Sequence, residues 1–330
     1  MSSLPANFLK RARTRAQSSW RPRELGQSVG IVVVAAVLLA IFAKTANAFL
    51  TAGNVRNILI QTSVLGVVAV GETMVMLTGG IDLSVGAMAF VGEVITAYLT
   101  AAHSWEFALL IALLATGCLG LLNGLLVAVA GIPAILATLA SLLLATGIGE
   151  LILNLRYIMV TTPIFAEMYT KNLVLNLPGL VIVMLAFYVV GSVVMRKTRY
   201  GRDVYAIGGN PRAARLSGLP VTRTTIAVYG LTGVLCGVGG FLTVCQLGMV
   251  SSNDLQSLNF QTIIAVLLGG LSVARGGVGR LERTLLGVLI FGMLTNYQTI
   301  KGVGSSYQQA LLGALLVAAV VADRLLRGRE

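Results

Sequence analysis

The chain has 330 residues, of which 56% are hydrophobic and 11% charged, with a formal net charge of +12. A soluble domain carries about 25% charged residues, so this composition excludes one. Repeated apolar stretches of about 17–22 residues instead predict an all-α integral membrane protein with many spans.

Residues 1–27 hold Lys10, Arg11, Arg13, Arg15, Arg21 and Arg23. They read as a basic cytoplasmic segment, able to lie on anionic headgroups. Their length and charge, without a small-residue cleavage site after the first apolar run, argue against a cleavable signal peptide. The transmembrane domain covers 28–323, with spans expected at 28–43, 58–78, 85–102, 108–130, 134–153, 177–195, 224–247, 259–274, 284–297 and 308–323, and a cytoplasmic tail follows at 324–330. Outer connections fall at 45–57, 103–107, 154–176, 248–258 and 298–307. The aromatics of His103-Ser-Trp-Glu-Phe107 suit a membrane interface. Inner connections are 79–84, 131–133, 196–223 and 275–283.

Ten spans put both termini on one side, and the basic residues say which. Of the 24 Lys and Arg, 19 fall on 1–27, 196–223, 275–283 and the tail, while Lys44, Arg56, Arg156, Lys171 and Lys301 fall outside. The positive-inside rule then places both termini in the cytoplasm, and the +12 charge does not indicate nucleic-acid binding. Cys118, Cys236 and Cys245 all lie in apolar segments and read as packing residues, with no metal or disulfide spacing. The one histidine, His103, leaves no base for a triad, and there is no G-x-x-x-x-G-K-[ST] loop for ATP.

The longest polar segment is 196–223, RKTRYGRDVYAIGGNPRAARLSGLPVTR, with seven basic residues against Asp203. Gly208-Gly-Asn-Pro211 predicts a turn, with Asn210 as N-cap and Pro211 at the first helical position. Arg212 to Leu216 then form a short helix, stopped by Gly218 and Pro220. Such a helix, exposing Arg212 and Arg215 and offering Ala213, Ala214 and Leu216 as a small apolar face, is a docking element for a cytoplasmic protein; the plainer reading is an ordinary positive-inside loop.

Intramembrane carboxylates are costly and mark candidate sites. Glu72 and Glu93 either take part in transport or hydrogen-bond Thr, Ser or backbone within the bundle. Glu150, near the outer end of its span, reaches water or Arg156. Gly79 and Gly80 interrupt an apolar run, and Asp82 or Ser84 would cap the helix that follows. Gln61, Asn123 and Asn296 either line a hydrophilic path or bond helices together. LTGGIDLSVG at 77–86 echoes LLGGLSVARGGVG at 267–279. Glycine-interrupted spans in two pseudo-repeated halves point to a transport path, although glycine pairs also serve close packing.

GGIDLSVGA at 79–87, IPAILATLA at 132–140, TRYGRDVYAIGGNPRAARLSGLPV at 198–221 and AVLLGGLSVARGGVG at 265–279 resemble the membrane permease of the ribose-type sugar ABC importers, a family that includes ribose, xylose, arabinose, galactose and autoinducer-2 permeases. The resemblance runs from Asn54 to Asp323. It implies a ten-helix ABC importer transmembrane domain in a bacterial inner membrane, a second permease subunit in a homodimer or heterodimer, a periplasmic sugar-binding protein, and a separate cytoplasmic ATPase that uses ATP and Mg. It assigns Gly201 to Pro220 as the segment contacting that ATPase, with Gly201, Asn210, Pro211, Arg212, Ala213, Ala214, Arg215, Leu216 and Gly218 as coupling residues. This chain departs from the family in carrying Glu72 and Glu93 at apolar or small positions, Gln261 near an acidic one, and Arg275 early in its glycine loop. The competing expectation is a stand-alone secondary transporter with Glu72 or Glu93 as coupling carboxylate.

Overall fold

Apolar runs free of proline become helices here, and Gly, Pro or Asn ends most of them. The computed structural model describes residues 29–327 except 155, 175, 253, 273 and 274; the basic N-terminal segment 1–27 and the last three residues of the tail lie outside the described residues. The helices among the described residues are α1 (Val29–Thr45), α2 (Ala52–Leu77), α3 (Val85–Leu99), α4 (Trp105–Ala128), α5 (Ala134–Leu153), α6 (Pro163–Thr170), α7 (Gly179–Lys197), α8 (Arg199–Gly209), α9 (Pro211–Leu216), α10 (Val221–Leu247), α11 (Leu258–Leu268), α12 (Leu281–Ile300) and α13 (Ser305–Arg327). Six of them, α2, α4, α5, α7, α10 and α13, are long and apolar enough to cross a membrane, and α1, α3 and α11 are shorter apolar helices.

Enclosure separates the centre of the bundle from its rim. The apolar windows of α2 and α10 are 89% and 83% buried within this chain, against 28–33% for α4, α5 and α7 and none of α13. The central position of α10 follows from its glycines: a Cβ on Gly233 would lie 2.3 Å from the Thr116 carbonyl, and Gly120 stands opposite on α4. Backbones approach this closely only where side chains are absent, and the gain is dispersion contact along the helix pair. Val67, Val68, Met88, Leu242 and Ile264 fill the core between these helices. Leu114 on α4 and Leu143 and Leu151 on α5 point away from it, as leucines facing lipid or another subunit do.

Several expectations change. The apolar run at 259–274 yields a helix only to Leu268, because Gly269 caps it and Gly270 takes a positive φ of 81°. The segment 154–176 is not simply a loop: it holds α6 and two short strands, β1 (Ile158–Met159) and β2 (Asn172–Val174). β1 pairs antiparallel with β4 (Met249–Val250), and β2 with β3 (Leu177–Pro178). Cys236 and Cys245 are buried, but Cys118 is exposed and does not pack the core.

Candidate coupling and translocation sites

The polar segment 196–223 is mostly helical, and α8 is the part that charge concealed. Thr198 caps it, its hydroxyl accepting from the Gly201 amide at 3.3 Å. Gly201, Val204 and Ile207 face inward at a spacing of three, a 3.6-period signal present in the sequence but interleaved with Arg199, Arg202 and Asp203. Gly201 is therefore an internal residue: a Cβ there would stand 2.1 Å from the Met195 carbonyl. It seats α8 on the end of α7. Burial pushes the Tyr200 phenol up, so it stays neutral against the bundle. Arg196 pairs with Glu282 at 2.8 Å and ties the end of α7 to the start of α12.

Asn210 closes α8 and opens α9. Its Oδ1 accepts from the Ala213 amide at 3.0 Å, and Pro211 follows as the first helical residue. Gly218 ends the turn with φ of +79°, a conformation that L side chains rarely adopt. The expected apolar face needs correction. Ala214 is 5% exposed and packs against its own chain, whereas Leu216 is 89% exposed. Ala213, Arg212 and Arg215 are exposed with it. A six-residue helix lying on α10 turns one residue inward, and Ala214 is small enough to be that residue.

At the Gly79-Gly80 break the sequence candidates converge. The Asp82 amide donates to Glu72 Oε1 at 3.2 Å. Asp82 Oδ1 accepts from the Ser84 amide at 2.8 Å and from its hydroxyl at 2.5 Å. Asn123 of α4 donates to Ser84 Oγ at 2.9 Å and to Asp82 Oδ2 at 3.5 Å, and accepts from the Ser141 hydroxyl of α5. Thr138, one turn earlier on α5, accepts from the Leu83 amide at 3.1 Å. Glu72, Asp82, Ser84, Asn123 and Thr138 are all fully enclosed. Ser84 stands at the start of α3 but makes no side-chain cap; of the two expected caps, Asp82 is the one that accepts a freed amide, that of Ser84. Gly79 supplies the turn with φ of +87°, and a Cβ on Gly80 would approach the Tyr229 hydroxyl to 2.5 Å. This cluster locks a helix break in place by satisfying its backbone.

The other candidates lie elsewhere. Asn296 and Asn54 exchange side-chain hydrogen bonds at 2.9 and 3.0 Å, joining α12 to the start of α2. Glu150 accepts from the Ser252 hydroxyl at 2.9 Å, a partner the sequence did not suggest. Glu93 is enclosed, near enough to Asp254 for the two carboxyls to interact. Gln61 opens onto a cleft with Asn57, Tyr169 and Gln246, uncharged and rich in amides. Among the described residues no three His, Cys, Asp or Glu side chains are grouped to hold a metal. Sequence reading missed Thr138, Ser141, Tyr169 and Gln246. Polar residues on apolar helices were the available signal, but Thr and Ser commonly satisfy themselves on the preceding turn.

The family described as "Branched-chain amino acid transport system / permease component" matches residues 54–320. The chain is 35% identical over 298 residues to the ribose import permease protein RbsC of Escherichia coli (strain K12), covering 87% of this chain and 90% of that protein. It is 33% identical over 302 residues to the L-arabinose ABC transporter permease protein AraH of Azospirillum brasilense, covering 91% and 88%. It is 32% identical over 302 residues to the D-allose transport system permease protein AlsC of Escherichia coli (strain K12), covering 90% and 91%. No solved structure matches the chain.

Proposed function

Since the chain belongs to the branched-chain amino acid transport system / permease component family, we propose that it is the membrane permease of an ATP-driven ABC importer for a monosaccharide or a similar polyol-like solute. One observation carries the reading: near-full-length similarity to ABC permeases named for ribose, L-arabinose and D-allose. The chain itself performs no catalysis; ATP and Mg are used by a cytoplasmic ATPase. A periplasmic binding protein delivers the solute, and a second permease subunit completes the path.

The domain spans a bacterial inner membrane ten times, with both termini and the 196–223 segment in the cytoplasm. The split of 19 basic residues to 5 supports that orientation. The exposed edge of α9, with Arg212, Arg215, Ala213 and Leu216, meets the ATPase. Gly201, Ala214 and Gly218 shape the segment, and Asn210 and Pro211 hold α9 to α8. On the outer side, the cleft of Asn57, Gln61, Tyr169 and Gln246 offers amide donors and acceptors beside an aromatic ring, which suits a neutral, hydroxyl-rich solute. The secondary-transporter reading is not favoured: the relatives are ABC permeases, and Glu72 is engaged in a structural hydrogen bond.

The test is to purify the chain with its partner chains, reconstitute them in liposomes, and measure uptake of ribose, arabinose and allose. Uptake should require ATP and binding protein, and should stop with a hydrolysis-dead ATPase. Uptake by this chain alone under a proton gradient would overturn the reading.

A further inference from the structure

Three chain-distant glycine segments meet backbone to backbone where α8 ends. The Gly277 amide donates to the Leu77 carbonyl at 2.7 Å, joining the connection between α11 and α12 to the last residue of α2. Gly208 of α8 sits in the same place: a Cβ there would lie 1.8 Å from the Leu77 carbonyl and 2.3 Å from the Gly277 nitrogen. One on Gly276 would lie 2.8 Å from the Gly208 Cα and equally far from the Gly79 nitrogen. Gly277 itself has φ of +72° and stands against the Gly209 nitrogen and the Tyr205 carbonyl. The Tyr205 hydroxyl adds a bond to the Gly279 carbonyl at 3.1 Å. The end of α8 is thus wedged between both glycine breaks, with no flexible side chain at the contact to absorb a displacement.

On its other side α8 runs directly into α9, the two sharing Asn210 as C-cap and N-cap. From the Gly79 side the chain continues into the enclosed cluster of Glu72, Asp82, Ser84 and Asn123. We propose that Gly208, Gly276 and Gly277 are positioning residues that gear the docking helices to both breaks. A push on α9 then moves the break at Gly79 and the turn at Gly276–Gly279 together rather than one at a time. Packed backbone transmits such shifts because it has no soft intermediate arrangement. The proposal rests on the ATP-driven reading above.

Gly208→Ala and Gly209→Ala make a matched pair. The two residues are adjacent on α8 and gain the same methyl, yet a Cβ on Gly209 meets nothing within 4 Å. In liposomes holding the full complex, solute moved per ATP hydrolysed is the readout, because a loss of folded protein lowers both quantities alike. Gly208→Ala should keep assembly and ATP hydrolysis while lowering that ratio about tenfold or more, as expected when a two-state element loses its bias. Gly209→Ala should leave the ratio at wild type. Tyr205→Phe adds no volume, removes the hydroxyl's bond to the Gly279 carbonyl, and should lower the ratio about fivefold.

An unchanged ratio in Gly208→Ala, or an equal fall in Gly209→Ala, overturns the gearing. Should Gly208→Ala yield no folded complex, Tyr205→Phe decides, and an unchanged ratio there is fatal. Absence of ATP-dependent uptake in the wild type would instead sink the importer reading, so the two failures are told apart.

Discussion

Glu72 accepts one amide, that of Asp82, from deep inside the bundle. Glu72→Gln keeps an acceptor at that place, so uptake should stay near wild type. Glu72→Leu leaves the Asp82 amide unpaired, at a cost of about 1–3 kcal/mol, and should lower the melting temperature of the purified protein and its yield. Thermal unfolding in detergent and uptake in membranes check both; a folded but inactive Gln variant would restore Glu72 as a coupling carboxylate. The residues of this cluster were visible singly in the sequence, because a carboxylate in an apolar run stands out. Their meeting was not. Asp82 and Asn123 are 41 positions apart, one in the break before α3 and the other on α4, and glycine contacts set how α3 and α4 lie against α10. Ser141 carried no signal, since a serine in a membrane helix usually bonds the turn before it. Glu93, equally conspicuous in the sequence, belongs to a different neighbourhood, beside Asp254.

At the scale of the element, α8 and α9 teach opposite lessons. Asn-Pro followed by a glycine stop made α9 legible to the residue, since each local requirement has one cheap solution. α8 was hidden because Arg199, Arg202 and Asp203 crowd its first turns, just after Arg196 and Lys197 end α7, and its buried side is carried partly by glycine, which apolar periodicity does not register. The same blind spot misjudged α9's face: the sequence offers three apolar residues, but packing against the chain's own helices buries Ala214 and leaves Leu216 exposed. The two substitutions should therefore separate. Leu216→Asp should leave the permease folded and release the ATPase during copurification. Ala214→Glu should reduce the amount of folded permease, because it forces a charge into the chain's own interior at a cost of several kcal/mol. Arg212→Ala should weaken ATPase binding by about 1 kcal/mol or less, and only at low salt. If Ala214→Glu folds normally while Leu216→Asp retains the ATPase, the docking face has been drawn on the wrong side of α9.

For the whole molecule, the all-helical membrane class was readable from composition, and among the described residues six helices are long and apolar enough to cross a membrane, with three shorter apolar helices beside them. What composition could not rank was their enclosure: α2 and α10 are hardly more apolar than α13, yet they are central and α13 is not. Glycine placement decides that, and it acts only once partners are known. Orientation is open to a direct test. Single cysteines at Ser2 and Gly328, in a background lacking Cys118, Cys236 and Cys245, should react with impermeant reagent only when it is given access to the cytoplasmic face. Reaction at either site from outside contradicts the ten-span arrangement.

The locked break at Gly79–Ser84 also sets a clock for the ribosome. Its carboxylates belong to the first hundred residues made, but Asn123, Thr138 and Ser141 emerge later. At about 5–20 residues per second, the roughly 60 residues from Asp82 to Ser141 take about 3–12 s. During that interval α2 and α3 have the polar groups of the break between them without the partners that satisfy them. Nascent chains truncated after Leu99 should remain extractable or be degraded, whereas those truncated after Leu153 should hold in the bilayer against alkaline extraction. Equal resistance of the two lengths would mean that α2 and α3 insert without waiting for their later partners.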